Sequence, residues 1–292
     1  MKLSVILPAR NEAAVIGSLL EELSQRLPEA EVIVVDDGST DGTAALCARY
    51  SVRLISHPYS KGNGAAVKAG ARAATGDILV FMDADGQHRP EDIPRLLAKL
   101  EEGYDMVVGA RGMGDHAGAH RGFANAVFNR LASWMVNHRV EDLTSGFRAV
   151  RAERFRRFLY LLPNSFSYPT TCTMSFFRAG FGVAYVPVSM PPRIGRSHIR
   201  PFRDGLRFIL IIIKIGTLYS PLKLFLPVSC GFFVTGLGYY FYTYATSHRF
   251  TNMSGLLLTT AVLVFLIGIV SEQISALLYK DSDSADPRDP TA

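Results

Sequence analysis

Two aspartates separated by one residue, Asp83 and Asp85, carry the strongest chemical signal in this chain of 292 residues. They follow the apolar run Ile78–Met82, which is typical of a buried strand. Carboxylates at this spacing can both turn towards a hard cation such as Mg²⁺ or Mn²⁺, and Gln87 is close enough to add an oxygen ligand. Such an ion neutralises the charge on a departing nucleotide diphosphate. The alternative interpretation of an isolated Asp-x-Asp is a solvated turn.

A second acidic pair, Asp36 and Asp37, follows the β-branched run Val32–Val35. A carboxylate here can accept the ring N–H of uracil or guanine, since both bases present an N–H beside a carbonyl. The alternative is helix capping, because Asp37, Ser39 and Asp41 all precede a helix-like segment. Both interpretations stay open at the level of sequence.

A glycine-rich segment, Lys61-Gly62-Asn63-Gly64, follows the predicted strand Val52–Ser56. Its backbone N–H groups and the Lys61 ammonium group predict contacts with phosphates. The segment lacks the G-x-G-x-x-G spacing, which argues against dinucleotide binding.

One scaffold must position these three clusters, and the first part of the chain alternates strand-like and helix-like segments. Five strands are predicted, at Leu3–Leu7, Val32–Val35, Val52–Ser56, Ile78–Met82 and Met106–Val108. Apolar strands separated by helices indicate an α/β fold with a mostly parallel sheet that is covered on both faces. Ligands of such sheets lie beyond the carboxyl ends of the strands, where all three clusters fall.

The last third of the chain changes character. Leu206–Tyr219 mixes apolar and basic residues, which predicts a helix lying in a membrane interface. Leu224–Ala245 and Gly255–Ser271 carry no charged side chain, and each is long enough to cross a bilayer. The second run continues past Glu272, which either marks a functional or subunit contact or reaches the interface.

These patterns divide the chain into four predicted parts. They are a cytoplasmic catalytic domain at 1–205, an amphipathic interfacial helix at 206–220, a two-helix transmembrane hairpin at 221–280 and a disordered acidic tail at 281–292.

The distribution of charge predicts how the hairpin is oriented. The loop Ser247–Asn252 has Arg249 as its one fixed positive charge, whereas the segment before the first span is strongly basic. The positive-inside rule then places both chain ends in the cytoplasm, at the inner (cytoplasmic) membrane of the cell. Leu3–Leu7 is too short for the apolar core of a signal peptide, so we expect the N-terminal domain to stay in the cytoplasm.

A basic stripe precedes the first predicted span in this chain, whose net charge is +5. Its members are Arg193, Arg196, Arg200, Arg203, Arg207, Lys214 and Lys223, with Asp204 as the single acid. The membrane segment that follows favours an anionic lipid or a lipid phosphate as the partner rather than nucleic acid. The three cysteines show no metal-type spacing and are interpreted as reduced thiols.

Taken together, the motifs resemble the family 2 glycosyltransferases, and among them the polyprenyl-phosphate branch typified by dolichol-phosphate mannose synthase. The resemblance covers about residues 1–205. The matching motifs, in the family's order, are Pro8-Ala9-Arg10-Asn11-Glu12, Val35-Asp36-Asp37-Gly38-Ser39, Lys61-Gly62-Asn63-Gly64, Asp83-Ala84-Asp85-Gly86-Gln87-His88, Thr144-Ser145-Gly146-Phe147-Arg148 and Arg193-Ile194-Gly195-Arg196-Ser197.

The resemblance implies a GT-A fold and an inverting, metal-dependent transfer. One sugar would pass from a UDP- or GDP-sugar to undecaprenyl or dolichyl phosphate at the cytoplasmic face of the bilayer. Some members of this branch are tetramers, so the resemblance also implies a homotetramer as an assembly to test.

The resemblance also implies roles for individual residues. The nucleotide-sugar would be bound by Pro8, Arg10, Glu12, Asp36, Asp37, Lys61, Asp83 and Ala84. The metal would be held by Asp83, Asp85 and Gln87. The lipid phosphate would be bound by Arg111, Arg148, Arg193 and Ser197. The catalytic set would be Asp83, Asp85, Arg111 and Arg148. Asp142 is interpreted either as a base on the acceptor side or as a structural partner of Arg148.

Physical chemistry supports a lipid-phosphate acceptor independently of the resemblance. A phosphate monoester is anionic at neutral pH, so it needs no side-chain base to become a nucleophile. It needs positive charge to approach an anionic donor, and arginine grips phosphate with two parallel hydrogen bonds.

Two other functions compete with this hypothesis. A processive polysaccharide synthase is disfavoured because the chain has no Gln-x-x-Arg-Trp stretch, its one tryptophan being Trp134, and because two spans build a poor polymer channel. A catalytically inactive membrane scaffold that binds nucleotide or lipid is disfavoured because Asp83 and Asp85 are both intact.

Overall fold

The computed structural model describes residues 1–111, 119–164, 167–189, 213 and 216–283. The chain divides into two units, residues 1–198 and residues 199–292. Within the described residues, the first unit is built around one seven-stranded sheet and the second around two long helices.

The sheet is mostly parallel, as the apolar runs predict. Its strands are β1 (Leu3–Ala9), β2 (Glu31–Asp36), β3 (Arg53–Ser56), β4 (Ile78–Phe81), β5 (Met106–Arg111), β6 (Arg148–Arg151) and β7 (Val183–Val188). Their order across the sheet is β3-β2-β1-β4-β6-β5-β7. Only β6 among these strands runs against its neighbours, β4 and β5.

Buried side chains along the central strands explain why the sheet is covered on both faces. Val5–Leu7, Ile33–Val35 and Leu79–Phe81 are fully buried, so consecutive residues that point to opposite faces are all out of water. The register pairs Ile6 with Ile33 on one side and with Phe81 on the other. This is the burial pattern that a parallel sheet between two layers of helices requires.

The helices of the first unit connect these strands. They are α1 (Ile16–Arg26), α2 (Thr43–Cys47), α3 (Asn63–Ala73), α4 (Ile93–Glu101), α5 (Ala119–Val136), α6 (Ala152–Arg156) and α7 (Tyr168–Arg178). A 3₁₀ turn at Pro90–Asp92 leads into α4, and Pro90 suits a first turn because its missing N–H group needs no partner there.

The apolar spacing over Glu12–Leu27 predicts one helix there, but α1 begins at Ile16. The backbone N–H groups of Glu12 and Ala13 donate to Thr43 Oγ1 (3.0 Å) and Asp41 Oδ2 (3.1 Å). These bonds hold the segment after β1 as a loop against the start of α2, which leaves it at the rim of the sheet.

The second unit contains α8 (Pro221–Ser247) and α9 (Asn252–Asp283), two antiparallel helices long and apolar enough to cross a membrane. Ser229 Oγ donates to the carbonyl of Ala261 across the pair at 2.8 Å. Glu272 Oε2 accepts the N–H of Leu222 at 3.2 Å. Glu272 therefore bonds to the first turn of α8, a role that neither sequence interpretation named.

Two predicted segments fall largely outside the described residues. Of the interfacial helix predicted at 206–220, residues 216–219 are described and are helical. α9 extends to Asp283, into the predicted tail, and residues 284–292 lie outside the described part.

Candidate active site

A cavity of about 400 Å³ lies beyond the carboxyl ends of β1, β2 and β4. Its lining comes from the end of β1, from the loops after β1, β2, β3 and β4, and from the start of α3. The lining residues are Pro8, Ala9, Arg10, Glu12, Asp37, Ser60, Gly62, Asn63, Ala66, Asp83, Ala84, Asp85 and Gln87. The three sequence clusters therefore meet at one edge of the sheet, because parallel strands bring their carboxyl ends together.

The aspartate pair sits in a tight turn directly after β4. The N–H of Asp83 donates to His88 Nδ1 at 3.0 Å, and the N–H of Gln87 donates to Asp85 Oδ1 at 3.1 Å. Gly86 adopts a φ of 76°, a backbone conformation that favours glycine. The turn holds both carboxylates at the cavity, and the side chain of Asp83 is 34% exposed.

The antiparallel strand β6 supplies the wall beside Asp83. Because β6 runs against β4, its start lies at the carboxyl end of β4, and Arg148 pairs with Phe81. Gly146 just before β6 is so close that a Cβ there would lie 2.9 Å from Asp83 Oδ2. The absence of a side chain at this position is what lets the carboxylate occupy its place.

The oxygen-rich lining fits a hard divalent ion. Asp83, Asp85 and Gln87 offer the carboxylate and amide oxygens that Mg²⁺ and Mn²⁺ prefer. Within the described residues, no group of three or more His, Cys, Asp or Glu side chains is placed to hold an ion. A metal at this edge would therefore need further oxygen ligands, such as those of a diphosphate or of water.

His88 is a supporting residue that sequence reasoning missed. Its ring is buried and stacks on Phe147 with 5.0 Å between ring centroids. Burial lowers the pKa of His88 below its ordinary value, against the opposing charges of Asp83 and Asp85. A neutral imidazole accepts the Asp83 N–H, so His88 positions the backbone of the aspartate turn.

Asp37 is saturated with hydrogen bonds from the segment that follows β3. Its Oδ1 accepts from His57 Nδ1 and from the N–H of Lys61, both at 2.8 Å. Its Oδ2 accepts from Ser60 Oγ at 2.7 Å and from the N–H of Gly62 at 2.9 Å. Burial acts to raise the pKa of Asp37, but these donors outweigh it and hold the pKa at about 2.

This network involves the glycine-rich segment for which the sequence predicts contacts with phosphates. In this arrangement the N–H groups of Lys61 and Gly62 donate to Asp37, and the predicted contact of Lys61 with the nucleotide-sugar stays a prediction. The Lys61 ammonium group lies 5.8 Å from the centroid of the Tyr59 ring, and Lys61 does not line the cavity. The N-cap position of α2 is Gly42, and the carboxylate that accepts the N–H of the first helical residue, Thr43, is Asp41 Oδ1 at 3.1 Å.

Asp36, the last residue of β2, is not among the residues that line the cavity. Its side chain is buried and its Oδ1 accepts the N–H of Ser39 at 3.1 Å. Asp36 therefore shapes the turn after β2, and its predicted contact with the nucleotide-sugar stays a prediction.

Arg111 and Asp142 form a bidentate ion pair beside the aspartate turn. Arg111 Nε donates to Asp142 Oδ2 at 2.8 Å, and Arg111 Nη2 donates to Asp142 Oδ1 at 3.0 Å and to Thr144 Oγ1. Burial acts to raise the pKa of Asp142, but the Arg111 guanidinium outweighs it and the pKa is lowered. An ionised, fully bonded carboxylate is poorly suited to be a base, and its partner is Arg111 rather than Arg148.

Arg148 lies inside the protein, bonded to two other segments. Its side chain is completely buried, and its Nη1 donates to the carbonyl of Pro169 at 3.1 Å and to Thr173 Oγ1 at 3.3 Å. Its Nη2 donates to the carbonyl of Ser145. Arg148 thus joins the loop before β6 to α7. Its predicted contact with the lipid phosphate and its predicted part in catalysis stay predictions.

The remaining predicted positions divide into two groups. Pro8, Arg10, Glu12 and Ala84 line the cavity with the aspartate pair. Arg193 and Ser197 lie outside the described residues. Ser60 and Asn63 line the cavity without having been predicted individually, although both belong to the segment around the glycine-rich motif.

The chain matches known proteins over both of its units. Residues 4–177 match the family described as Glycosyl transferase family 2, and residues 220–277 match the GtrB C-terminal hairpin. The undecaprenyl-phosphate mannosyltransferase of Micrococcus luteus is 31% identical over 218 residues, which covers 68% of this chain and 88% of that protein. The dolichyl-phosphate hexose transferase of Haloferax volcanii is 29% identical over 216 residues, which covers 73% of this chain and 93% of that protein.

Solved structures show the same fold. Glucosyl-3-phosphoglycerate synthase from Mycobacterium tuberculosis, in complex with Mn²⁺, uridine diphosphate and glucosyl-3-phosphoglycerate, has a TM-score of 0.59 and 25% identity. The likeness covers 74% of this chain and 78% of that one.

The mostly parallel sheet, the cavity at its carboxyl ends and this structural likeness define a glycosyltransferase of the GT-A fold. The match over residues 4–177 makes the assignment specific. The chain belongs to glycosyl transferase family 2.

Proposed function

We propose that this enzyme transfers a single sugar from a UDP- or GDP-sugar to a polyprenyl phosphate, with inversion at the anomeric carbon. The observation that carries the proposal is the pair Asp83 and Asp85 at the edge of a nucleotide-sized cavity. The polyprenyl-phosphate acceptor is supported by the names of the two relatives and by the apolar helix pair α8 and α9.

The donor half of the reaction rests on the cavity lining. Asp83, Asp85 and Gln87 would hold Mg²⁺ or Mn²⁺, which when bound supplies the positive charge that stabilises a leaving diphosphate. Gly146 and His88 keep Asp83 in place from two sides. Pro8, Arg10, Glu12 and Ala84 would surround the nucleotide-sugar at the same edge of the sheet.

The acceptor half needs positive charge and no base, since a phosphate monoester is already an anion. Arg111 is the remaining described candidate for contact with this phosphate, and its side chain is 27% exposed. Because Asp142 neutralises Arg111, further cations are required, and we assign this role to the basic stripe with Arg193. Ser197 would add a neutral hydrogen-bond donor to the phosphate. The two apolar helices support a reaction at the membrane, and we propose that the catalytic unit lies on the cytoplasmic side.

Replacing one metal ligand tests the proposal directly. Asp85→Asn should reduce transfer of radiolabelled sugar from a UDP- or GDP-donor into butanol-extractable lipid by about 100-fold or more, because a neutral amide no longer attracts the cation. The assay uses the full chain in detergent with Mg²⁺ or Mn²⁺ and a polyprenyl phosphate.

Asp77→Asn is the matched control, because Asp77 lies at the opposite end of the same strand and its Oδ2 accepts the N–H of Lys2 at 2.9 Å. The control should keep wild-type activity. Near-normal turnover of Asp85→Asn would contradict the metal role. A long polymer as product would support a processive synthase, and nucleotide binding without any product would support an inactive scaffold.

A further inference from the structure

The chain leaves its helical path at Ser220 and Pro221, immediately before and at the start of α8. Residues 216–219 are helical, and the N–H of Ser220 donates to the carbonyl of Gly216 at 3.0 Å. Ser220 itself has a φ of −156° and a ψ of 67°, which is not helical. α8 then begins at Pro221, a residue that has no N–H group to donate. Ser220 and Pro221 therefore form a helix break.

The helix break interrupts two hydrogen bonds that a continuous helix would make. In such a helix each N–H donates to the carbonyl four residues earlier. The carbonyl of Thr217 would accept from position 221, where Pro221 has no N–H, and the carbonyl of Leu218 would accept from Leu222. Where a chain enters a bilayer, water is scarce, so protein groups have to replace the interrupted bonds.

Two polar side chains of α9 replace these bonds. Ser275 Oγ donates to the carbonyls of Thr217 and Leu218, each at 3.1 Å. Glu272 Oε2 accepts the N–H of Leu222 at 3.2 Å. Because Glu272 and Ser275 lie one turn apart on the same face of α9, this face satisfies both sides of the helix break.

Close packing on either side holds α9 against the helix break. One turn before Glu272, a Cβ at Gly268 would lie 2.9 Å from Phe225 Cβ, so glycine allows α9 to approach α8 closely. Towards the end of α9, the ring of Tyr279 lies 5.9 Å from the ring of Tyr219 between centroids, and both side chains are buried. These contacts keep α9 close enough for its polar side chains to reach the break.

We propose that Glu272 is a positioning residue for the lipid acceptor, because it fixes the direction in which the chain enters α8. Lys223, the last member of the basic stripe, follows Leu222 in the turn that Glu272 caps. The other members of the stripe precede the helix break in the sequence. A fixed break therefore constrains these cations at the bilayer surface, where the phosphate of a polyprenyl phosphate would lie. The inference rests on the proposed function, since it gives Glu272 a part in binding the proposed acceptor.

Steady-state kinetics of the full chain in detergent test this role. Glu272→Leu removes the acceptor of the Leu222 N–H, and leucine at this position suits a membrane helix. The KM for polyprenyl phosphate should rise about tenfold, as the loss of one hydrogen bond predicts. The affinity for UDP or GDP with Mg²⁺, measured by calorimetry, should stay at the wild-type value, which also shows that the catalytic unit is folded. Ser275→Ala should raise the same KM by about threefold.

Two further variants separate positioning from other effects. Glu272→Gln keeps an oxygen that can accept the Leu222 N–H, and its KM should lie within about twofold of the wild type. Gln273→Leu, at the exposed neighbouring position, is the matched control and should leave the KM unchanged. A wild-type KM in Glu272→Leu overturns the inference. A Glu272→Gln protein as weak as Glu272→Leu also overturns it, because the charge rather than the bond would then matter. If the wild type transfers no sugar to polyprenyl phosphate, the proposed function fails instead.

Discussion

At the scale of single residues, three aspartates in and near the candidate site differ in the partners of their carboxylate groups. Asp37 is saturated by four donors, and Asp142 is paired with Arg111. Asp83, in contrast, keeps a partly exposed side chain at the aspartate turn. A carboxylate can bind a metal only through oxygen lone pairs that are not already used in hydrogen bonds or ion pairs within the protein. This difference favours Asp83 over Asp37 and Asp142 as a metal ligand.

The closeness of Gly146 to Asp83 makes a residue-scale prediction. Gly146→Ala would place a Cβ 2.9 Å from Asp83 Oδ2, so the carboxylate must turn away. Because the Asp83 side chain is partly exposed, it can move at little cost in the free energy of unfolding. A displaced Asp83 carboxylate would, however, no longer be in position to bind the metal. We expect the activity and the Mn²⁺-dependent affinity for nucleotide to fall about tenfold or more, with a small change in Tm.

Gly182→Ala provides the comparison for this variant, because the nearest atom to a Cβ there, Tyr104 Cδ1, is at an ordinary 3.4 Å. The measurements are calorimetric titration with nucleotide and Mn²⁺, and thermal unfolding in detergent. Equal activity of Gly146→Ala and Gly182→Ala would show that Asp83 does not need its present position.

At the scale of elements, one antiparallel strand organises the site. β6 is inserted between β4 and β5, so the loop that precedes it reaches the carboxyl ends of both. This loop carries Gly146 to Asp83 and Asp142 to Arg111. Arg148 then fastens the loop to α7 from inside the protein. The order of the strands therefore joins the proposed metal turn to the proposed acceptor arginine.

The burial of Arg148 predicts a structural rather than a substrate-binding phenotype. Arg148→Met removes the donors that satisfy the carbonyls of Pro169 and Ser145, which should lower the free energy of unfolding by about 3 kcal/mol. The folded fraction should keep its KM for polyprenyl phosphate. Thermal unfolding in detergent and steady-state kinetics at low temperature separate these two effects.

Arg49→Met, at an exposed position that follows α2, should leave both quantities unchanged. If Arg148→Met instead raised the KM for the lipid tenfold at wild-type stability, the buried position of Arg148 would have to open during the reaction.

At the scale of the whole molecule, the chain combines a GT-A catalytic unit with a pair of long apolar helices. Most of the large apolar side chains of α8 and α9, such as Val234, Leu256 and Leu277, are exposed. Exposed apolar side chains along two whole helices are costly in water and are favourable in lipid. This pattern supports the proposed transmembrane hairpin.

The proposed orientation of the hairpin can be tested by labelling cysteines in intact cells. In a Cys230→Ser background, Arg249→Cys should react with a membrane-impermeant maleimide, because the loop between α8 and α9 is expected outside the cytoplasm. Ser24→Cys in α1 should react only after lysis. The native Cys47 and Cys172 are buried and should stay unlabelled. The reverse pattern would place the catalytic unit outside the cytoplasm.

The sequence by itself determined the features whose causes are local. Runs of buried apolar residues marked the parallel strands, and Asp83-Ala84-Asp85 was recognisable because its residues adjoin the end of one strand. The two long apolar helices followed from length and the absence of charge. These features can be predicted without knowing which distant segments of the chain become neighbours in the fold.

Only the tertiary structure decided what each charged side chain contacts. Asp37 meets Ser60 because β2 and β3 are adjacent, and Asp142 meets Arg111 rather than Arg148 because β6 lies beside β5. Arg148 is buried because it begins a strand in the middle of the sheet. Pairing between distant strands depends on the packing of the whole core, so residue type and local spacing do not encode it.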